Sequence, residues 1–235
     1  MKGILLCGGS GTRLLPLTRV TNKHLLPVGN KPMVFYPLEK MKEAGINDIL
    51  VITGTEHLGD IVSLLGSGSD YGVSFTYKVQ DKPLGIAHAV SLGNRFIGND
   101  DFVVILGDNI FEFDMKKLID KFKSVGRSLI VLRKSKNPNR FGVARIVNNE
   151  LEEIVEKPGE DISDFIVTGV YFYKPEIFKY FPRLTLSARG EYEISDLHNY
   201  LIKDKKLDYS IEESFWSDAG TLETYFEVNR KYGKL

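Results

Sequence analysis

Gly8-Gly9-Ser10-Gly11-Thr12-Arg13 directly follows the apolar run Ile4-Leu5-Leu6-Cys7. Glycines at the end of a buried strand let backbone N–H groups close on phosphate oxygens, an approach that side chains would block. Two familiar phosphate-binding patterns do not fit. A Rossmann fingerprint needs a third glycine where Leu14 stands and a helix where Pro16 interrupts. A Walker A loop needs a lysine after its second glycine; the glycine spacing recurs at Gly54 and Gly59, but Asp60 follows. Arg13 and Lys23 are the candidate phosphate-binding cations, and Pro16 and Pro27 stiffen the segment that carries them. This suits a triphosphate cradle, and equally describes a loop with two solvated cations.

Asp108 leaves the apolar run Phe102–Leu106 after Gly107. A carboxylate at the end of a buried strand can offer oxygen to a hard cation, or simply start a turn. Asp218, between Trp216 and Gly220, invites the same two readings. Lys157, after Glu156 and before Pro158, could present a point charge to a monophosphate, with Glu156 accepting from sugar hydroxyls. The run from Glu152 to Lys157 is also what an amphipathic edge strand with solvated charges looks like. Gln80 carries both a donor and an acceptor for a base edge.

Other chemistries are poorly served. His24, His57, His88 and His198 show no metal-ligand spacing, and one cysteine cannot build a zinc site. No Gly-x-Ser-x-Gly elbow exists for a serine hydrolase. His198 lies beside an apolar helical stripe and reads as structural; Cys7 reads as packing.

The elements that must position these residues alternate in type. Ile4–Cys7, Ile49–Ile52 and Phe102–Leu106 are continuous apolar runs, as in strands covered on both faces, and 73–79 alternates. Helical spacing appears around Leu38 and Met41, Ile61 to Leu65, Ala87 to Leu92, and Leu118 to Val125. The second half adds strands over 128–133, 142–147, 151–156 and 165–173. A helix follows on Ile194, Leu197 and Leu201, and another spans about 221–232. The fold class is α/β: a Rossmann-like, mixed, mostly parallel sheet flanked by helices. One domain over 1–235 is expected, with 1–127 mainly serving a nucleotide and 128–235 a sugar phosphate.

Composition sets the outer bounds. The chain has 235 residues, 43% hydrophobic and 26% charged, which is too apolar for disorder. Lys plus Arg and Asp plus Glu each number 31, so no bulk field favours nucleic acid or an anionic membrane. A single cysteine suits a reducing compartment. The apolar N-terminal stretch stops at Gly8, too short for a signal peptide, and no run approaches a membrane helix. A cytoplasmic protein is expected.

The first motif, continued through Lys23-His24-Leu25-Leu26-Pro27-Val28, closely resembles the signature of the sugar-1-phosphate nucleotidyltransferases. Within that family it is most similar to the glucose-1-phosphate thymidylyltransferases. The resemblance extends through Gln80, Gly85-Ile86-Ala87, Leu106-Gly107-Asp108-Asn109-Ile110-Phe111, Arg140-Phe141-Gly142-Val143 and Glu156-Lys157-Pro158. It continues in Val167-Thr168-Gly169-Val170-Tyr171, Ser187-Ala188-Arg189-Gly190-Glu191 and Trp216-Ser217-Asp218-Ala219-Gly220-Thr221. Any one block is weak; in family order across nearly the whole chain they are specific.

The resemblance implies an enzyme that joins dTTP to glucose 1-phosphate, giving dTDP-glucose and pyrophosphate, with Mg²⁺ held by Asp108 and Asp218. It implies catalytic roles for Arg13, Lys23 and Lys157. Nucleotide contacts would come from Gly8, Gly9, Ser10, Gly11, Thr12, Arg13, Gln80, Gly85, Gly107 and Asp108. Sugar-phosphate contacts would come from Asn109, Gly142, Glu156, Lys157, Val167, Thr168, Gly169 and Arg189. Phe141 replaces a common tyrosine, and His24 and His88 stand where glutamines are common, which puts those contacts in doubt. A homo-oligomer is expected, although the C-terminal helices that help build an interface and feedback site in longer members are absent. Use of UTP, CTP or GTP, another sugar phosphate, or a non-catalytic sugar-nucleotide sensor are the rival readings.

Overall fold

The computed structural model describes residues 1–233, which divide into two compact units that interleave along the chain. One takes Met1–Pro83, Val104–Met115 and the stretch from Ser214; the other takes Leu84–Val103 and Lys116–Glu213. The fold is a mixed, mostly parallel α/β arrangement with flanking helices.

The first unit is built on parallel strands. Lys2–Cys7, Asp48–Gly54 and Ser74–Gln80 pair side by side, with Cys7 level with Thr53 and Gly54 level with Gln80. Phe102–Leu106 lies on the other side of Lys2–Cys7, and its residues 104–106 belong to this unit. There the Gly107 N–H donates to the Leu6 carbonyl at 2.8 Å. The continuous apolar strands are buried, whereas the alternating Ser74–Gln80 is the outermost and exposes every second residue up to Lys78. Strand order thus reverses at Lys2–Cys7, and open α/β sheets bind ligands beyond the strand ends at such a reversal. The glycine turn and Asp108 both leave strands there.

Two short ribbons and a helix hold the segments after those strands. Pro27–Val28 pairs with Lys31–Pro32, and Ile110–Phe111 pairs antiparallel with Trp216–Ser217. Helix Leu222–Tyr232 opens with a capping box in which Thr221 and Thr224 bond each other's backbone N–H. Its Tyr225 and Val228 bury against Leu14, Leu26, Val28, Met33, Ile110 and Ala219. Tyr225 Oη donates to the Pro27 carbonyl at 2.7 Å, and Asn229 Oδ1 accepts from Gly29 N–H at 3.1 Å. The glycine-rich segment therefore rests on a helix some 200 residues away in sequence.

In the second unit the buried strand Phe165–Tyr173 pairs antiparallel with Ser128–Lys134 and with Gly142–Val147. Gly142–Val147 and Glu150–Glu156 form a hairpin closed by Asn148-Asn149, both at positive φ, which suits asparagine in a tight hairpin loop. Leu207–Ile211 adds in parallel to Ser128–Lys134. Helix Ile194–Lys203 is tied to the hairpin by Asn199, whose amide accepts from Ile154 N–H and donates to its carbonyl, each at 2.8 Å. Among the described residues no helix is long and apolar enough to cross a membrane.

His198 on that helix is fully buried; its Nε2 lies 2.6 Å from Tyr173 Oη and its Nδ1 has no hydrogen-bond partner among the described residues. Burial lowers its pKa from 6.5 to about 3. The unfolded chain therefore binds a proton below pH 6.5 that the folded chain excludes. The stabilisation is complete above pH 6.5 and is lost as the pH falls toward 3, at about 1.4 kcal/mol per unit. In urea titrations from pH 6.5 to 4.5, His198→Asn should flatten the loss of stability by about that slope. Equal slopes in parent and variant would show that His198 titrates alike in both states.

Candidate active site

In the first unit the glycine turn begins where Lys2–Cys7 ends. Gly9 and Gly11 take φ of +101° and +63°, a region that other residues adopt at a cost. Thr18 Oγ1 donates to the Gly11 carbonyl at 2.8 Å and folds the segment back on itself. A Cβ on Gly8 would lie 3.4 Å from Gln80 Oε1, so the Gln80 amide, itself buried, faces the turn. At Gly220 a Cβ would meet Asp218 Oδ2 at 3.2 Å and an Arg13 nitrogen at 3.4 Å. The first turn and the Asp218 loop thus converge, although 205 positions apart. Ala219 beside them is fully buried at φ +34°.

Lys23 Nζ lies 2.5 Å from Asp108 Oδ2, with both side chains nearly buried. Burial alone would raise the Asp108 pKa; Lys23, with His24 and Asn109, outweighs it and holds the carboxyl below its usual range. Asn22, a residue absent from the sequence-based candidates, organises this corner. Its Nδ2 donates to the Cys7 carbonyl, and its Oδ1 accepts from His24 N–H. His24 is buried, its pKa lowered to about 3 by burial and by Lys23, and its ring sits where a Cβ on Gly107 would be. This glycine is required because a side chain would collide with that ring.

The ribbon brings the second carboxylate. Ser217 pairs with Ile110, two residues after Asp108, and Asp218 follows Ser217 directly. Asp108 and Asp218 are 7% and 9% exposed. Among the described residues no three His, Cys, Asp or Glu side chains could hold a metal together. Two carboxylates are a poor closed cage, but they suit Mg²⁺, which is commonly bound by one or two carboxylates plus substrate phosphates.

The second unit gathers a different set. Lys157 leaves strand Glu150–Glu156 at φ +44°, its N–H donating to the Phe141 carbonyl at 2.9 Å, and its side chain is exposed. A Cβ on Gly142 would lie 3.3 Å from Ile154 Cγ2 and 3.4 Å from Glu156 Oε2. Burial, then Glu193, raises the Glu156 pKa against the pull of Arg189 and Lys157. Arg189 Nη2 bonds Glu193 Oε2 at 2.6 Å and Glu156 Oε1 at 3.2 Å. Burial works against the Arg189 charge, but Glu193, Glu156 and Glu191 raise its pKa overall. Glu193, buried and also receiving Ser187 Oγ at 2.6 Å, was not among the expected residues; nothing distinguishes it in sequence from Glu191. Val167, Thr168 and Gly169 are buried on Phe165–Tyr173, and Thr168 Oγ1 already donates to the Val131 carbonyl. Gly85, at φ +93°, has no room for a Cβ against the Tyr192 carbonyl at 2.7 Å.

Strand ends carrying a glycine turn, paired cations and carboxylates in one unit, and a lysine–arginine–glutamate set in the other, accord with a nucleotide-transferring enzyme. The chain belongs to the nucleotidyl transferase family, which it matches over residues 2–234. It is 45% identical over 233 residues to glucose-1-phosphate thymidylyltransferase of Neisseria meningitidis, covering 97% of this chain and 81% of that protein. It is 42% identical to the low-salt glycan biosynthesis nucleotidyltransferase Agl11 of Haloferax volcanii, covering 98% of this chain and 65% of that one, just under two thirds of its length. A crystal structure of a Bacillus anthracis protein, provisionally assigned as a glucose-1-phosphate thymidylyltransferase and solved with sucrose, superposes with a TM-score of 0.95. That pair is 48% identical, and the match covers 100% of this chain and 96% of the other.

Proposed function

We propose that the protein transfers the thymidylyl group of dTTP to glucose 1-phosphate, releasing pyrophosphate and forming dTDP-glucose. The observation that carries this reading is the convergence of the glycine turn, Arg13, the Lys23–Asp108 pair and Asp218 at one end of the first unit's strands. The names of the relatives supply the base and the sugar.

In this reading an oxygen of the sugar phosphate attacks the α-phosphorus of dTTP in line. The new P–O bond forms as the bond to the β-phosphate bridging oxygen breaks, and pyrophosphate leaves with that electron pair. No covalent enzyme intermediate is required, because positioning and charge stabilisation suffice. The N–H groups of Gly8 to Thr12 cradle the phosphates, and Arg13 and Lys23 stabilise the leaving pyrophosphate. Gln80 reads the base. Lys157 and Arg189 orient the nucleophile's phosphate, and Glu156 accepts from sugar hydroxyls, with Gly142, Val167, Thr168 and Gly169 shaping its surroundings. When bound by Asp108, Asp218 and the nucleotide, Mg²⁺ supplies positive charge to the transferring phosphates.

Incubating the purified protein with dTTP, glucose 1-phosphate and Mg²⁺ tests the reading by pyrophosphate release and isolation of dTDP-glucose. Turnover with another nucleotide–sugar phosphate pair but none with this one would overturn the assignment. Lys157→Ala separates the substrates: it should lower kcat/KM for glucose 1-phosphate by about 10²–10³ and leave the KM for dTTP unchanged. A defect confined to dTTP would move Lys157 to the other substrate.

A further inference from the structure

Trp216 Nε1 donates to Asn109 Oδ1 at 2.7 Å, and Asn109 Nδ2 donates to Asp108 Oδ1 at 3.0 Å. An indole N–H can only donate, so it fixes which end of the Asn109 amide faces it. With the amide oxygen committed, the NH₂ end is the one turned to Asp108. Asn109 is 1% exposed, so an amide that rotated away would strand polar atoms in a dry site. The remaining Asp108 oxygen, Oδ2, faces Lys23. The two oxygens of Asp108 therefore differ: Oδ1 accepts from the neutral Asn109 amide, Oδ2 from the Lys23 ammonium.

The donor's place in the chain adds a second constraint. Trp216 pairs with Phe111 and Ser217 with Ile110, and Asp218 follows immediately. One strand thus supplies both the second carboxylate and the group that orients the first. Rotation or withdrawal of that strand would disturb both carboxylates together.

We propose that Trp216, acting through Asn109, is a positioning residue for the divalent cation. The indole sets the Asn109 amide, which in turn fixes the plane of the Asp108 carboxylate against the metal. This rests on the reading of Asp108 and Asp218 as metal ligands given above. Groups that orient a ligand typically contribute about 10–100-fold to metal affinity or activity.

The test measures Mn²⁺ in the protein–dTTP complex without any sugar phosphate, by the free-Mn²⁺ paramagnetic resonance signal, corrected with a dTTP-only blank. Trp216→Phe keeps the ring and deletes the N–H; it should weaken Mn²⁺ binding by about 10-fold or more, as should Asn109→Leu. The double variant should bind no more weakly than Asn109→Leu, since both act through one chain. Thermal melts identify unfolded samples. For Trp216→Phe, saturating metal should restore much of kcat. A role for the indole limited to contacting the sugar, or to packing, would leave Mn²⁺ affinity at the parent value, and that result overturns the proposal. Asp108→Asn and Asp218→Asn are run alongside. If these weaken Mn²⁺ binding and Trp216→Phe does not, the positioning role alone fails; if neither weakens it, the metal site itself is wrong.

Discussion

With glucose 1-phosphate as the acceptor, kcat/KM for CTP should fall about 10⁴ or more below that for dTTP. Gln80 is buried at the end of Ser74–Gln80, its Oε1 aimed at the glycine turn. Thymine offers an acceptor at O4 and a donor at N3; cytosine presents a donor at N4 and an acceptor at N3. Cytosine therefore leaves buried groups facing like groups, a mismatch that costs far more than a lost contact in water. Sites that hydrogen-bond their substrate reject mismatched analogues by about 10⁴–10⁵, whereas one methyl group is worth roughly 10–200-fold. UTP should be a much better substrate than CTP, separated from dTTP by the methyl group and the ribose 2′-hydroxyl. A side-chain amide can turn over, so a second, fixed group must set the sense of the reading. Steady-state rates by pyrophosphate release decide the matter: CTP used as well as dTTP would remove Gln80 from base recognition.

Asp218→Asn and Asp108→Asn should each lower turnover by about 10²–10³, through loss of charge stabilisation at the transferring phosphate. Their stabilities should diverge. Asp108 is the partner of Lys23, and removing one member of a buried ion pair costs about 3–5 kcal/mol because the other charge is left uncompensated. Asp108→Asn should therefore melt well below the parent. A rescue of its stability by pairing it with Lys23→Met would assign the loss to the stranded ammonium. Turnover within severalfold of the parent for both carboxylate variants would refute the metal-site assignment.

Where one residue's neighbours in sequence decide its environment, the fold was readable. Phe102–Leu106 is a continuous apolar run bounded as the sequence suggests, and Phe165–Tyr173, interrupted only by Thr168 and Gly169, also has the bounds read from sequence. Ser74–Gln80 alternates because it is an outer strand. The strand Leu207–Ile211 is not evident from sequence: Leu-Asp-Tyr-Ser-Ile alternates, but five residues carry too short a period, and the edge of Ser128–Lys134 makes it a strand. The ribbon Ile110–Phe111 with Trp216–Ser217 is too short to carry any period, yet it aligns the candidate carboxylates. Candidate phosphate and metal residues were legible through motif blocks. The groups around them were not: Asn22, which ties His24 to the Cys7 carbonyl, and Glu193 beside Arg189 act through contacts that no spacing rule encodes.

The ribbon also bears on how the protein is made. Trp216 and Asn109 are 107 residues apart, and at roughly 5–20 residues per second a ribosome needs about 5–20 s to go from one to the other. Once Asp108 has emerged it can pair with Lys23 while Asp218, Trp216 and the helix Leu222–Tyr232 are still to be made. The nascent chain therefore passes through a stage in which the first unit has its strands but not its second carboxylate. A nucleotide or metal could stabilise this unit fully only once the segment from Trp216 to Tyr232 has left the ribosome.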